Sequence, residues 1–270
     1  MAELSTDVWA IGDAYEPYVG RWSRLVAREF VTWLAATPGS SWLDIGCGTG
    51  ALTEIVLGTS APASVQAIDP SLGFILYARR QVPDPRATFT VADARSLPQT
   101  DRSVDLVVSG LALNFIPHPS VGVAEMVRVV RPGGVVAAYV WDYADQMQLM
   151  RYFWDAAAAL DPDVSQLDEG RRFPLCHPDA LESLFRGAQL RDVESRAIDV
   201  PTRFRDFDDY WRPFLGGQGP APGYAMSRGE ERRVALRERI RSALPVSADG
   251  TIDLVARAWA VRGKVNSRTT

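Results

Sequence analysis

The chain has 270 residues, of which 47% are hydrophobic and 23% charged, so it can bury the core of a globular domain. Its formal net charge of −4 argues against nucleic acid or an anionic membrane as a partner, because phosphate binding needs a concentrated basic face. Its 2 cysteines, Cys47 and Cys176, provide neither a disulfide framework nor the ligand spacing of a metal site.

The amino-terminal residues carry no recognisable targeting signal. Met1 to Ala10 include Glu3 and Asp7 and lack the basic and apolar regions of a secretion signal. No apolar run in the chain reaches the roughly 18 residues that a membrane-spanning helix requires. We therefore expect a cytoplasmic protein with no membrane span.

The first predicted helix runs from Pro17 to Leu34. Its apolar residues, among them Val26 and Phe30, recur every three or four positions, which is typical of an amphipathic helix. The proline lies near the start, where a missing N–H is tolerated. We expect this helix to pack against a sheet.

The stretch from Ser41 to Gly50 combines an apolar strand that ends in an acid with three alternating glycines. Glycines allow a strand to turn at once into a helix, and they let a ligand approach bare backbone. The following helix, Ala51 to about Leu57, directs its free N–H groups towards that ligand. The pattern predicts a nucleotide-binding turn.

The glycine pattern alone leaves the kind of nucleotide open. Gly46, Gly48 and Ala51 also satisfy the G-x-G-x-x-G/A fingerprint of dinucleotide-binding enzymes. The early third glycine, Gly50, and the acid Asp44 favour a cationic ligand, such as a sulfonium that carries an ammonium group, over a pyrophosphate. The alternative for Asp44 is that it caps backbone N–H groups of the turn.

The second predicted strand, Ser64 to Asp69, also ends in an acid. A carboxylate at this strand tip can accept both hydroxyls of a ribose, whichever kind of nucleotide carries that ribose. The alternative is that Asp69 is the N-cap of the next helix, Leu72 to Gln81. The third strand, Thr88 to Ala92, leads into Asp93-Ala94, which suit an adenine amino group and ring nitrogen. The alternative, which would be favoured if this block stood alone, is that Asp93 is a surface residue in a turn.

The remaining predicted elements continue to alternate between strand and helix as far as Trp141. A continuously apolar strand, Val104 to Gly110, indicates a central parallel strand. We then predict a helix at Val121–Val130, a turn at Arg131–Gly134 and a strand at Val135–Val140. The alternation predicts a parallel sheet with right-handed crossovers.

Beyond Trp141 the pattern changes. We predict helices at 146–160, 178–186, 206–215 and 227–244, strands at 191–200 and 251–262, a polar loop at 161–174 and a flexible loop at 216–223. The region is rich in aromatic residues.

Five blocks lie in a fixed order between residues 42 and 141: Leu43–Gly50, Ala67–Ser71, Val91–Ala94, Asp105–Ser109 and Arg128–Gly134. In this order and spacing they resemble the class I S-adenosylmethionine-dependent methyltransferases, in particular the small-molecule enzymes related to ubiquinone/menaquinone-biosynthesis methyltransferases. The resemblance implies a cytoplasmic small-molecule methyltransferase with S-adenosylmethionine as methyl donor and S-adenosylhomocysteine as product.

The resemblance also implies the fold. We expect an α/β, Rossmann-like sheet of seven mostly parallel strands with helices on both faces, in which the last strand lies antiparallel beside the fifth. We expect one domain over 1–270, comprising an N-terminal lid helix (17–40), a cofactor-binding core (41–141), acceptor-side additions (142–250) and the last strand (251–262).

The expected cofactor contacts lie along the five blocks, the strand ends and the leading helix. They are Tyr18, Arg21, Asp44, Gly46, Cys47, Gly48, Asp69, Pro70, Asp93, Ala94, Ser109 and Leu111. For Tyr18 and Arg21, which the resemblance places near the methionine end of the cofactor, the alternative is that each extends along an apolar helix face.

Asn114 and His118 are the polar side chains closest in sequence to the expected acceptor. His118 has a free pKa suited to general-base catalysis at neutral pH, but it lies between two prolines and could simply line a turn. Without a base, catalysis would depend mainly on holding the acceptor in line with the methyl group.

The aromatic-rich region after the fifth strand predicts a mostly apolar acceptor of aromatic or polyketide-like type. The alternative, which we favour for Trp154 and Trp211, is that these rings belong to the core of the added helices. Two other functions are compatible with the sequence: a nicotinamide-dependent oxidoreductase, and a non-catalytic regulator that binds the cofactor. The sequence assigns neither the acceptor atom nor an oligomeric state.

Overall fold

The computed structural model describes residues 20–216 and 219–267. Within these residues the chain divides into two compact units. The first, which we call the core unit, comprises residues 22–141, 175–198 and 258–267, and the second unit comprises residues 20–21, 142–174, 199–216 and 219–257. Tyr18 and the start of the predicted lid helix lie outside the described residues.

Up to the fifth strand, the core unit follows the predicted alternation. Its elements are α1 (Arg21–Leu34), β1 (Ser41–Ile45), α2 (Ala51–Thr59), β2 (Ser64–Asp69), α3 (Leu72–Gln81), β3 (Ala87–Val91), β4 (Val104–Gly110), α4 (Pro119–Val129) and β5 (Val130–Trp141). The later elements are α5 (Gln148–Leu160), α6 (Glu169–Arg172), α7 (Pro178–Gly187), β6 (Arg191–Phe204), α8 (Phe207–Trp211), α9 (Pro220–Ser227), α10 (Glu230–Ala243) and β7 (Ile252–Lys264).

The seven strands form one sheet in the order β3-β2-β1-β4-β5-β7-β6. The strands from β3 to β5 pair in parallel, whereas β7 pairs antiparallel with β5. This confirms the predicted fold class. Nicotinamide-dependent folds commonly have the order 3-2-1-4-5-6, so the strand inserted between β5 and β6 distinguishes this sheet from theirs.

Helices cover both faces of the sheet in the core unit. One face packs its apolar side chains against α4 and α7, and its buried cluster includes Ala138, Met126 and Phe185. Tyr139 points to the opposite face because side chains alternate along a strand. There its ring lies 4.7 Å from that of Phe30 in α1.

The predicted turn at Arg131–Gly134 is wrong, because these residues lie within β5. The pairing register shifts between Val104 and Leu106 of β4, so the extra residues of β5 are accommodated as an irregularity in the strand. Gly133 supplies the positive φ of +82° that this irregularity needs. A Cβ at Gly134 would lie 2.5 Å from the backbone oxygen of Asp105.

Three predictions for the later part of the chain also need correction. The predicted loop 161–174 contains a 3-10 helix, Pro162–Gln166, and α6, whose N-cap Asp168 accepts a hydrogen bond from the Gly170 N–H. The predicted loop 216–223 gives way to α9 at Pro220, because proline is favoured in the first turn of a helix. Residues 175–198, predicted among the additions, belong to the core unit.

The aromatic residues of the second unit are largely buried. Trp154 is 1% exposed and Trp211 is 5% exposed, so the core assignment favoured for these two rings is confirmed. The rings of Phe153 and Phe214 are stacked with their centroids 4.6 Å apart. No helix in the described part of the chain has the length and apolarity needed to cross a membrane.

Candidate active site

The candidate site lies within the core unit, where β1, β2 and β4 end at the same edge of the sheet. Glycines 46, 48 and 50 all have positive φ, between +52° and +88°, so the chain turns from β1 into α2 within a few residues. The N–H groups of Gly46 and Cys47 donate to the Ile68 oxygen, at 2.8 and 2.9 Å. These bonds fix the turn against β2.

The glycines of this turn have different neighbours. A Cβ at Gly46 would collide with Cβ of Ala112, whereas no atom lies within 4 Å of a Cβ built at Gly48. Gly46 is therefore needed for close packing inside the protein. Gly48 leaves open space beside the backbone, which is the property that a nucleotide cradle requires.

Asp69 at the tip of β2 is 7% exposed and binds two backbone N–H groups. Its Oδ2 accepts from Gly48 at 3.0 Å and its Oδ1 from Ser71 at 2.8 Å. Burial raises the pKa of Asp69, and these two hydrogen bonds oppose the rise. The N-cap of α3 is Ser71, whose hydroxyl accepts from Phe74, so the alternative assignment of Asp69 as that N-cap is wrong.

Asp44 lies in β1 and is fully buried. Its Oδ2 accepts a hydrogen bond from the Thr53 hydroxyl at 2.7 Å, while its Oδ1 is buried without a hydrogen-bond partner among the described residues. Burial, the largest cause, raises the pKa of Asp44 to about 7, with a smaller contribution from the charge of Asp69. Hydrogen bonding from the Thr53 side chain and backbone opposes this rise, and the capping role considered for Asp44 stays a prediction.

Asp93 follows β3, which pairs with β2 so that Val91 lies opposite Asp69. The two acids therefore occupy neighbouring strand tips, as the sequence predicts. The Asp93 side chain is 45% exposed and forms an ion pair with Arg95, with Nη2 at 2.5 Å from Oδ2. Hydrogen bonds from Arg95 lower the pKa of Asp93.

Three further predicted contacts accompany these acids. Pro70 is exposed, Ala94 is buried in the apolar cluster, and Cys47 is buried within the glycine turn. Burial, assisted by the charges of Asp44 and Asp69, raises the pKa of the Cys47 thiol well above its ordinary value. This thiol is therefore neutral at physiological pH.

The end of β4 contributes Ser109 and Leu111. Ser109 is fully buried, and its hydroxyl has no hydrogen-bond partner among the described residues. Leu111 has a φ of +61°, and its N–H donates to the Tyr139 oxygen at 2.8 Å. Leu111, where the chain leaves the sheet, thus has a left-handed backbone conformation although it is not a glycine.

Asn114 and His118 lie on the segment after β4. The Asn114 side chain is half-buried, with Nδ2 at 3.5 Å from the Cys176 sulfur. His118 is exposed and has a φ of +54° directly before Pro119, the first residue of α4. This placement fits the turn role considered for His118, and the catalytic role of either side chain stays a prediction.

Comparison with known proteins agrees with this geometry. Residues 43–138 match the family model described as a methyltransferase domain. The chain is 36% identical to a demethylmenaquinone methyltransferase of Renibacterium salmoninarum over 51% of this chain and 53% of that protein. It is 35% identical to a 2-methyl-6-phytyl-1,4-hydroquinone methyltransferase of Synechocystis over 67% of this chain and 57% of that protein. The match thus spans little more than half of each relative.

Residues 43–138 form a methyltransferase domain. A solved structure of a phosphoethanolamine N-methyltransferase from Haemonchus contortus, in complex with S-adenosylhomocysteine, has a similar fold. Its TM-score is 0.58 at 17% identity, covering 95% of this chain and 57% of that one.

The residues of the methyltransferase domain fit S-adenosylmethionine, the cofactor of its class. Asp44 has a buried, unpartnered oxygen, and neither Asp44 nor Asp69 has an ion-pair partner in the described parts of the chain, so a cationic group would be stabilised there. Each oxygen of Asp69 holds a single N–H and can accept a further hydroxyl. Gly48 leaves the space for the ligand.

Arg21 is placed in the second unit. Its guanidinium forms an ion pair with Asp209 at 3.0 Å and lies 4.7 Å above the Phe204 ring, both in the same unit. No comparison tests its predicted cofactor contact, which stays a prediction. Within the described residues, no cluster of three or more His, Cys, Asp or Glu side chains could hold a metal ion.

Three residues of the core unit that contribute to the site were not predicted from the sequence. Thr53 holds Asp44, Ala112 excludes a side chain at Gly46, and the Tyr139 hydroxyl lies 2.6 Å from the position of a Cβ at Gly110. Only Thr53 had a signal in the sequence. A strand–turn–helix connection brings the first turn of the helix back beside the end of the strand, so a hydroxyl there can reach the strand-end acid.

Proposed function

We propose that this protein transfers a methyl group from S-adenosylmethionine to a small-molecule acceptor. The observation that carries the proposal is the pair of buried carboxylates, Asp44 and Asp69, beside an open glycine turn. Neither acid has an ion-pair partner among the residues described. Two buried negative charges are costly unless a ligand compensates them, and a cationic nucleoside would do so.

The chain's own residues would mainly bind and orient the cofactor and the acceptor. S-adenosylmethionine, when bound, supplies a methyl group on a cationic sulfur that departs as a neutral thioether. Asp69 would accept the ribose hydroxyls, and Asp44 would face positive charge. Because the leaving group is good, holding the acceptor in line supplies several kcal/mol without a general base.

We propose that the acceptor is apolar or aromatic. Two similar proteins are named for demethylmenaquinone and for a phytyl hydroquinone. In the core unit, the half-buried apolar residues Leu111 and Phe115 follow the carboxyl end of β4, which is where ligands bind in open α/β sheets. An apolar acceptor would bury surface against such side chains.

We also propose that Asp93 binds the adenine amino group. Its carboxylate is exposed and engaged by Arg95, so an incoming adenine would share that carboxylate with the guanidinium. The backbone beside Ala94 would meet the ring nitrogen. The proposed contacts of Tyr18, Arg21 and Pro70 complete this assignment.

The first test is isothermal titration calorimetry with S-adenosylhomocysteine and, separately, with NADH. We expect S-adenosylhomocysteine to bind at micromolar concentration and NADH not to bind, because the inserted antiparallel strand departs from the dinucleotide sheet. NADH binding without S-adenosylhomocysteine binding would refute the proposal and support an oxidoreductase.

The second test is methyl transfer from isotopically labelled S-adenosylmethionine to a panel of phenols and hydroquinones that differ in the length of an alkyl tail. We expect label in at least one organic product, with higher kcat/KM for the longer apolar tails. Binding of S-adenosylhomocysteine with no consumption of the donor by any member of the panel would favour a non-catalytic regulator.

A further inference from the structure

The buried contact between Thr53 and Asp44 links the first turn of α2 to the end of β1. Thr53 is fully buried, and its hydroxyl donates to Asp44 Oδ2 at 2.7 Å. The two residues are nine positions apart, separated by the glycine turn. The Thr53 hydroxyl therefore connects the two sides of the glycine turn and binds only one of the two carboxylate oxygens of Asp44.

The second oxygen of Asp44 is left without a partner. Oδ1 is buried and accepts no hydrogen bond among the described residues. A buried carboxylate oxygen in this state is costly, because it has lost its water and gained nothing in return. Oδ1 can therefore accept a hydrogen bond from a donor outside the described residues.

Burial is the main influence that opposes the ionisation of Asp44, and the charge of Asp69 raises its pKa further. The Cys47 thiol nearby adds no charge, because burial raises its own pKa. Thr53 acts in the opposite direction, since its side chain and its backbone both lower the pKa of Asp44. Thr53 is thus the neighbour that favours the charged form.

We propose that Thr53 is a positioning residue for the cofactor, which holds Asp44 charged and directs its free oxygen to the cationic part of the ligand. The proposal rests on the proposed function. Asp44 would make the ligand contact, and Thr53 would act only through Asp44. The bond can serve both protonation states, because a hydroxyl can donate to a carboxylate or accept from a carboxylic acid.

The test compares Thr53→Val, which removes the hydroxyl at nearly constant volume, with Thr53→Ser, which keeps it. The dissociation constant of S-adenosylhomocysteine is measured by calorimetry from pH 6 to pH 8.5. The wild-type affinity should rise about fivefold between pH 6 and pH 7 and about twofold more between pH 7 and pH 8.5. For Thr53→Val we expect binding at least about fivefold weaker at pH 7, a midpoint at least about one pH unit higher and partial recovery at pH 8.5.

Three variants control this test. Thr53→Ser should keep the wild-type pH profile, and Asp44→Asn should bind weakly at every pH. Thr59→Val removes another hydroxyl of the same helix, which donates to the Ile55 oxygen at 2.6 Å and has no link to Asp44. It should leave affinity and pH profile unchanged.

A second measurement does not depend on absolute affinity. Calorimetry at pH 7 in buffers of different ionisation enthalpy gives the number of protons released on binding. We expect about half a proton for the wild type and more for Thr53→Val, because more of its Asp44 is protonated before the ligand binds.

The proposal would be overturned if Thr53→Val kept the wild-type pH profile and proton release. It would also be overturned if Thr53→Val and Thr53→Ser lost affinity equally at every pH, since that would indicate a structural role. Failure of the proposed function looks different: the wild type itself would not bind S-adenosylhomocysteine.

Discussion

The tips of β2 and β3 lie side by side and both present an aspartate, yet the two acids are held in opposite ways. Asp69 is buried and bound by backbone N–H groups, and burial raises its pKa. Asp93 is exposed and bound by the neighbouring Arg95, which lowers its pKa. Although the two acids have similar positions at the sheet edge, Asp69 is thus a rigid, preorganised hydrogen-bond acceptor, whereas water and salt can reach Asp93.

The difference teaches where binding energy should be concentrated. A buried acceptor fixed by backbone has little freedom to lose when a ligand arrives, whereas an exposed ion pair must rearrange and competes with water. We therefore expect substitutions at the β1 and β2 tips to have large effects and those at the β3 tip to have small ones.

The largest effect is expected from Gly46→Ala. The new Cβ would collide with Ala112, and alanine is strained at the φ of +70°. We expect the free energy of unfolding, measured with urea, to fall by about 3 kcal/mol. Gly48→Ala is the matched control, because it carries only the strain of a positive φ and should cost about 1 kcal/mol. Equal losses would contradict the packing account.

The next effect is a pH dependence caused by Asp44. Its pKa is raised to about 7, so the folded protein binds a proton there that the unfolded chain loses near pH 4. The contribution of Asp44 to stability is therefore complete below about pH 4 and is lost as the pH rises to 7. Without ligand, we expect unfolding free energy to fall by about 3 kcal/mol between pH 5 and pH 8.

Asp44→Asn is the control for this pH dependence. It should flatten the curve over the same interval, because an amide does not titrate there. S-adenosylhomocysteine at saturating concentration should also flatten the curve for the wild type. A wild-type stability that rises from pH 5 to pH 8 would have the wrong sign and would refute the assignment.

Asp69→Asn and Asp93→Asn compare the two tips directly. We expect Asp69→Asn to weaken S-adenosylhomocysteine binding at least tenfold, since the amide loses the charge and turns a donor towards backbone N–H groups. For Asp93→Asn we expect a loss of about threefold or less, because water and Arg95 already compete for that carboxylate. Calorimetry measures both, and an equal loss would remove the distinction between the tips.

The smallest effect is expected from Arg95→Gln. The pKa of Asp93, followed by NMR, should rise towards its ordinary value when the guanidinium is removed. The thermal midpoint should not change measurably, because this ion pair is exposed. A clear loss of thermal stability would show that the pair is structural.

Much of the core unit could be predicted from the sequence because its signals are local. The bounds of β2, β4 and α3 match the prediction residue for residue, since an acid ends β2, a glycine ends β4 and a capping serine precedes α3. The same pattern predicted that the acids at the strand tips lie at one edge of the sheet, because parallel strands end there.

The remainder depends on contacts between distant parts of the chain. The strand through Arg131–Gly134 exists because β4 lies against it, and nothing local in a Pro-Gly-Gly sequence indicates a strand. Likewise, the collision at Gly46 involves Ala112, from another loop. Helix α9 was missed because glycine and proline dominate 216–223, and a proline that begins a helix resembles one that breaks it.

The position of β7 has a consequence for synthesis on the ribosome. This strand is the last of the seven in sequence but lies inside the sheet, between β5 and β6. During translation, β5 keeps an unpaired edge and β6 lacks its neighbour until residues 252–264 have emerged. From the synthesis of β5 until that of β7, the nascent chain therefore exposes an unpaired strand edge that can associate with other chains, and a nonsense codon shortly before position 252 would make that exposure permanent.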